Sequence, residues 1–187
     1  MTQSFTSNPI NVAPASSGWD FLDSATASAS ATLDFTSSID STYYMYAFVI
    51  ENLAPATDNT QFRLVSSTDG GSTWDSSGYL NSGAQARNTG LVTQYGASAV
   101  SILLCQSIGN STNENGSGIV YLINPSGTNH TSFSSKMECL DLNGNIQYMS
   151  MVGRRTSAAD VDAIRFLMST GNIASGTIKM YGCCKPA

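Results

Sequence analysis

Charged residues are scarce in this sequence. Asp, Glu, Lys and Arg together make up 11% of the 187 residues, whereas they make up about a quarter of an average soluble protein. Thirteen acidic residues outnumber eight basic ones, so the formal net charge is −5. Proteins that bind nucleic acid neutralise its phosphates with clustered Lys and Arg. The charge balance therefore argues against a nucleic-acid partner.

The usual ligands of structural zinc are also nearly absent. His130 is the single histidine, and none of the four cysteines are spaced as C-x-x-C. A structural zinc site needs four ligands, commonly supplied as closely spaced pairs. No Walker loop and no dinucleotide-binding glycine pattern is present either. The sequence predicts no metal and no cofactor.

Residues for hydrolytic catalysis are equally sparse. A Ser-His-Asp triad would depend on His130, which lies in the polar segment SGTNHTS, and no G-x-S-x-G motif occurs. Paired carboxylates stay open as an alternative, because thirteen acidic residues offer many pairs. Several of these acids lie in turn-like contexts that explain them structurally, namely Asp58, Asp69, Asp75 and Asp141. The sequence predicts a protein that is not an enzyme and has no catalytic residues.

Long apolar runs are missing. The longest candidate, YYMYAFVI, is well short of the roughly 18 to 20 apolar residues that cross a bilayer. The first residues, MTQSFTSNPINVAPASS, contain neither the cationic segment nor the apolar core of a secretory signal. We therefore expect a soluble protein that is made in a cytoplasm and has no membrane partner.

Hydroxyl residues and short apolar segments take the place of charge. The 29 Ser and 18 Thr residues fill about a quarter of all positions. Ten or so segments have the alternation, or the β-branched and aromatic content, that is typical of strands, and the stretches between them are rich in the turn formers Gly, Asn and Ser. This pattern predicts an all-β fold: an antiparallel, jelly-roll-like two-sheet β-sandwich, formed as one domain by residues 18–187.

One strand and the cysteines allow more specific expectations. The segment YYMYAFVIEN is apolar at successive positions, which is typical of a central strand covered on both faces. Cys105 lies in the apolar run VSILLC, which predicts a reduced cysteine in the core. Cys183 and Cys184 are adjacent, so on a strand they point to opposite faces and do not bridge each other. We expect free thiols at both; the alternative is that each pairs elsewhere after oxidation.

Residues 1–17 are polar and have neither helical nor strand periodicity, which predicts an extended N-terminal arm. Phe5, Ile10 and Val12 are spaced apolar residues within it. Two interpretations are open. The segment is either a frayed terminus or a partner-binding arm whose three apolar side chains contact a neighbouring subunit.

The segment SSTDGGSTW contains Asp69-Gly70-Gly71, which is typical of tight turns because Gly tolerates positive φ and Asp hydrogen-bonds turn amides. It predicts a β-hairpin, with one strand ending near Ser67 and the next beginning near Thr73. The segment also resembles the Asp-box of sialidase-like propellers, but it occurs once, whereas a propeller repeats its blades. We therefore predict a structural hairpin rather than a glycosidase site. Its residues are Ser67, Asp69, Gly70, Gly71, Thr73 and Trp74.

Three longer stretches resemble a recurrent class of phage and prophage virion proteins. They are GWDFLDSATASASATLDFTS, YYMYAFVIENLAPATDNTQFRLVSSTDGGSTWDSSGY and AIRFLMSTGNIASGTIKMYG. The resemblance covers about residues 19–80 and 162–182, and the central third of the chain departs from it. It implies a non-enzymatic β-sandwich on the outside of a virion, usually in an oligomer.

The members of this class include capsid decoration (cement) proteins, head fibres and tail-fibre modules. The resemblance implies two kinds of partner, namely other copies of the chain in a homotrimer and other virion proteins such as the major capsid protein. We expect a capsid decoration protein located in the virion. The alternative is a tail-fibre or head-fibre adhesin module that binds a host surface glycan. Exposed aromatic residues in loops would favour the adhesin, and only Tyr79 and Tyr95 lie in apparent loops.

Overall fold

A computed structural model describes residues 18–184, except for the side chains of residues 92–98. The predicted arm, with Phe5, Ile10 and Val12, lies outside the described residues. Within them the chain forms twelve β-strands. These are β1 (Asp20–Thr26), β2 (Thr32–Phe35), β3 (Met45–Pro55), β4 (Thr60–Ser67), β5 (Tyr79–Arg87), β6 (Gly90–Ala99), β7 (Ile102–Ile108), β8 (Gly116–Ile123), β9 (Ser132–Leu140), β10 (Ile146–Arg155), β11 (Ala163–Met168) and β12 (Ile173–Cys183).

The strands pair in two antiparallel sheets that form a sandwich. The large sheet has eight strands in the order β1-β12-β3-β8-β9-β10-β5-β6, and the small sheet has four in the order β2-β11-β4-β7. The predicted all-β class and antiparallel two-sheet sandwich are confirmed. Between residues 18 and 184, no helix is long and apolar enough to span a bilayer.

An aromatic cluster fills the space between the sheets. Phe166 of the small sheet stacks on Phe62, with ring centroids 5.7 Å apart. Its ring also lies 5.2 Å from the ring of Phe48, which belongs to the large sheet. Phe35 completes the cluster, and all four rings are fully buried. Because aromatic pairs at these distances add to the stabilisation that burial gives, this cluster holds the two sheets together.

The strands of the large sheet have two different faces. In β10, Met149 and Met151 are buried against the small sheet, whereas Tyr148 and Val152 on the opposite side are exposed. This alternation follows from the pleat, since successive side chains of a strand point to opposite sides. We call the side that the small sheet covers the inner face, and the opposite side the outer face.

The four cysteines differ in burial. Cys105 is buried in the core, as predicted, and Cys139 is buried beside it. Cys183 is buried and Cys184 is exposed, in keeping with their predicted opposite orientations. All four are free thiols in this structure.

Candidate functional site

The segment around Asp69 forms the predicted turn but not the predicted hairpin. β4 ends at Ser67 as expected, and Gly70 and Gly71 both have positive φ, at 69° and 83°. The next strand, however, begins at Tyr79 rather than near Thr73, and it pairs in the large sheet whereas β4 belongs to the small one. The hairpin prediction is therefore wrong. The segment is a loop that crosses from one sheet to the other.

Hydrogen bonds to Asp69 fix the shape of this crossing loop. Its carboxylate accepts bonds from the amide and the hydroxyl of Thr73, at 2.8 and 2.6 Å, and from the hydroxyl of Ser67 at 2.7 Å. The bonds from Thr73 and Ser67 lower the pKa of Asp69 to about 2. The carboxylate is thus engaged with the turn itself, which is the contact pattern expected of a structural residue.

Trp74 lies in the crossing loop, and an arginine side chain covers its ring. The guanidinium of Arg165 lies 4.3 Å from the ring centroid, and Arg165 is held in place by a two-bond ion pair with Asp34 at 2.8 and 2.7 Å. Gly71 lies against the ring edge, since a Cβ at that position would come within 3.0 Å of it. Trp74 therefore packs against the turn at Gly71.

A partly buried ion pair that the sequence did not reveal lies at the end of the same loop. Arg155 of β10 lies 2.8 Å from the carboxylate of Asp75, and the hydroxyl of Ser66 donates to that carboxylate at 2.9 Å. The hydroxyl of Tyr79 accepts a bond from the Ser66 amide at 2.8 Å. No local pattern marks this cluster, because Arg155 is far from the other three residues in sequence.

The aromatic residues expected in loops are not the exposed ones. Tyr79 is fully buried at the start of β5, so its predicted place in a loop is wrong. Tyr95 lies in β6, within the residues whose side chains are not described. Other aromatic side chains are instead exposed, namely Trp19 at 45%, Phe21 at 60%, Tyr44 at 57% and Tyr148 at 42%.

The outer face carries a continuous row of uncharged side chains. The strand register connects one residue from each of seven neighbouring strands. We call these residues the outer row: Phe21, Tyr181, Ala47, Tyr121, Ser134, Val152 and Ser82. The solvent face of an antiparallel sheet is ordinarily polar, so a row without a single charge calls for a functional explanation.

The position of Ala47 in this row corrects the prediction that the central strand is covered on both faces. In β3, Phe48 points to the inner face, while Ala47 and Val49 point to the outer face. Ala47 is fully buried, although among residues 18–184 no third layer lies over it. It lies between two larger residues in the register, Tyr181 and Tyr121. β3 is thus central, but only one of its faces is covered by a sheet.

Aromatic side chains gather at the β1 end of the outer row. The ring of Trp19 lies 5.9 Å from that of Tyr181 and 6.1 Å from that of Tyr121. The ring centroid of Phe21 also lies 5.6 Å from that of Tyr181. The described chain begins at Gly18, directly before this cluster.

An apolar groove lies at the opposite end of the row. Leu80, Ile123 and Val152 line it, and these side chains are 43%, 39% and 56% exposed. Its volume is about 380 Å³. Arg154 at its border is the single charged residue among the lining residues. Apolar exposure of this extent, rimmed by polar groups, is typical of a binding surface.

The two edges of the large sheet differ in charge. The edge strand β1 carries Asp20 and Asp23, and its register is broken between Phe21 and Asp23. The sequence of the other edge strand, β6, is GLVTQYGASA, which contains neither a charged residue nor proline. Edges that must not pair are commonly protected by charges, bulges or proline. β6 has neither a charged residue nor a proline, and its register with β5 is interrupted once, between Tyr79 and Asn81.

Catalytic and metal-binding arrangements are not apparent in the part of the chain that is described. Nδ1 of His130 is 3.0 Å from the backbone carbonyl of Arg155. Asp141 accepts bonds from the amides of Asn143 and Asn145, both at 2.9 Å, and so closes a turn. Among residues 18–184, no group of three His, Cys, Asp or Glu side chains is placed to hold a metal ion.

Comparisons of the chain with protein-family models, with curated proteins and with solved structures found no match. The resemblance to virion proteins therefore stays a prediction that these comparisons do not test.

Proposed function

We propose that this protein is a non-enzymatic structural component of a bacteriophage virion. In this proposal it is a capsid decoration protein that binds the outside of the shell. The outer row is the observation that carries the proposal, because it places exposed Phe21 and Val152 in one line with Tyr181 and Tyr121 across the sheet, and apolar surface of this kind marks interaction sites. Each apolar side chain of this kind contributes about 1.5 to 3 kcal/mol when it is fully buried.

The chemistry of the row also suits a particle surface. Contacts between apolar, hydroxyl and amide groups are weakened little by salt, whereas contacts between exposed ions are screened. The charges on the same face lie outside the row, as in the pair formed by Lys179 and Glu51 at 2.8 Å. We therefore expect the partner to present an apolar surface with matching polar groups, and its attachment to persist at high salt.

The arm supports the choice of this face. Trp19, the second of the described residues, lies at one end of the outer row, and the predicted arm precedes it in the sequence. Ordering a segment costs about 1 to 2 kcal/mol of free energy per residue. Burial of the three side chains of Phe5, Ile10 and Val12 offsets less than the total cost of ordering residues 1–17, unless a partner adds hydrogen bonds. We propose that the arm and the outer face bind the same shell surface.

The edge strand β6 supports self-association. Its free edge carries no charge or proline and can pair with an extended segment of a second copy. Since β1 at the opposite edge carries Asp20 and Asp23, the favoured pairing is between β6 of one copy and the arm of the next, a head-to-tail contact that can close into a ring. We propose that copies meet in this way in a homotrimer, which suits the local threefold axes of a capsid.

One observation supports the alternative function, a fibre adhesin that binds a host glycan. Trp19 and Phe21 are exposed aromatic residues, and sugars stack on such rings. They lie on a sheet face rather than at loop tips, however, and the Trp74 ring is covered by Arg165. These placements favour a protein partner over a glycan.

The copy number per particle tests the proposal. Virions from the strain that encodes the protein would be purified and the protein quantified by mass spectrometry against the major capsid protein. We expect hundreds of copies per particle. A few copies, or a few dozen, would instead assign a fibre, and absence from purified virions would refute a virion role.

A further inference from the structure

Two buried cysteines from different sheets face each other. Cys105 lies on β7 of the small sheet and Cys139 on β9 of the large sheet, and both side chains are excluded from solvent. Their Sγ atoms lie 2.6 Å apart. A disulfide bond measures about 2.05 Å, so the two sulfur atoms are already placed for a covalent link.

The two sheets converge beside this pair. Ile108, at the end of β7, bridges Asp141, just beyond the end of β9. The amide of Gly109 donates to the carbonyl of Leu140 at 3.2 Å. Packed sheets are ordinarily about 10 Å apart, and here backbone hydrogen bonds join them directly. This junction holds the two cysteine-bearing strands close together.

A polar side chain also contacts the pair. Nε2 of Gln147 lies 2.8 Å from Sγ of Cys139 and also donates to the carbonyl of Gln106 on β7. Gln147 is itself buried and pairs with Gln85. The cysteines therefore lie beside a hydrogen-bonded polar side chain, and Gln147 contacts the sulfur of Cys139 directly.

We propose that Cys105 and Cys139 form an intramolecular disulfide between the two sheets when the protein meets a small disulfide oxidant such as oxidised glutathione. The thiolate of one cysteine attacks the small disulfide and releases one small thiolate. The sulfur of the second cysteine then attacks the first cysteine sulfur and displaces the other small thiolate. The two cysteine protons pass to the released thiolates, so two cysteines are oxidised and one small disulfide is reduced.

Neither of the other cysteines can replace a member of this pair. Cys183 lies on β12, three strand positions from β9 in the large sheet, which corresponds to about 14 Å. It is also two residues from Tyr181 of the outer row, whereas Cys139 points to the inner face. Cys184 is exposed beyond the end of β12.

Burial controls how fast the disulfide forms. The thiolate is the attacking species, and the pKa of Cys105 is raised well above its ordinary value by its hydrogen bond with Cys139 and by burial. We therefore expect slow oxidation of the folded protein. Oxidation during refolding, when both thiols are in water, should be much faster.

A peptide map of the full chain tests the proposal. The protein is refolded with oxidised and reduced glutathione, its remaining thiols are alkylated in denaturant, and it is digested with trypsin without reduction. Cleavage after Arg87, Lys136 and Arg154 places Cys105 in residues 88–136 and Cys139 in residues 137–154. We expect these two peptides to be linked, and the C-terminal peptide with both remaining cysteines to be alkylated twice.

The variant with Cys183→Ala and Cys184→Ser should keep the link, and Cys139→Ala should lose it. Oxidised wild type should melt about 10 °C above the reduced form. The disulfide closes the loop from Cys105 to Cys139, and closing a long loop constrains the unfolded chain and so stabilises the fold. Four alkylated cysteines after equilibration with the oxidant would overturn the proposal. A link to Cys183 or Cys184, or between chains, would overturn it equally. The map of the wild type decides the question even if a variant fails to fold.

Discussion

The inner face of the large sheet and the outer row both contain aromatic and aliphatic side chains, but their surroundings differ. On the inner face, Phe48 is buried beneath the small sheet and packs on Phe166. On the outer face, Phe21 is 60% exposed and Val152 is 56% exposed. In residues 18–184 no second sheet lies over the outer row, although its side chains carry no charge. The comparison shows that apolar character alone does not identify a core, and it is consistent with the proposal that the outer face meets a partner.

A matched pair of phenylalanine substitutions tests this contrast with the largest expected effect. Phe166→Ala leaves a cavity among three other rings and should lower the free energy of unfolding by about 3 to 5 kcal/mol. Phe21→Ala should lower it by less than about 0.5 kcal/mol, because the side chain is mostly exposed. Thermal melts followed by circular dichroism measure both. Equal losses would mean that the outer cluster is part of the folding core.

The crossing loop connects the small sheet to the large one, and its two glycines provide the next test. Both have positive φ, but a Cβ on Gly70 meets nothing within 4 Å, whereas one on Gly71 would lie 2.7 Å from Thr36 and 3.0 Å from the Trp74 ring. Gly70→Ala should cost about 1 kcal/mol from backbone strain alone. Gly71→Ala should cost about 2 to 3 kcal/mol, since the clash is added to the strain.

Urea denaturation of the two glycine variants measures this difference. If Gly70→Ala were the more destabilising substitution, the packing of Trp74 against the turn would not contribute to the loop as described.

A smaller effect is expected from acid. The folded pKa of Asp69 is about 2, below its ordinary value of 3.8, so its carboxylate stabilises the loop fully above pH 3.8. That contribution is lost as the pH falls towards 2, because protonation removes the acceptor for Thr73. The melting temperature of wild type should therefore exceed that of Asp69→Asn at pH 5, and the gap should close by pH 2. A gap that does not change between these pH values would contradict the assignment.

Local patterns were sufficient to predict much of the fold. Alternating apolar residues predicted the strands, and the Asp69-Gly70-Gly71 sequence predicted a turn with positive φ. Both signals are carried by neighbouring residues, so they can be read without knowledge of the partner strands. The end of β4 at Ser67 was predicted for the same reason.

Pairings across long distances could not be predicted in this way. The turn was expected to join two paired strands, but a turn sequence does not specify whether the chain returns to the same sheet or crosses to the other. The ion pair of Asp75 with Arg155 and the contact of Cys105 with Cys139 both depend on which strands are neighbours. The outer row likewise becomes visible only when the register of seven strands is known.

Attachment to particles tests the central claim most directly. Val152→Arg places a charge in the outer row, and Leu142→Arg places the same charge on an exposed leucine in the turn between β9 and β10. Both variants should fold as wild type does, since both positions are exposed. In co-sedimentation with virions that lack the protein, we expect Leu142→Arg to bind as wild type does and Val152→Arg to lose most of its binding. Full binding by Val152→Arg would contradict the assignment of the outer face as the docking surface.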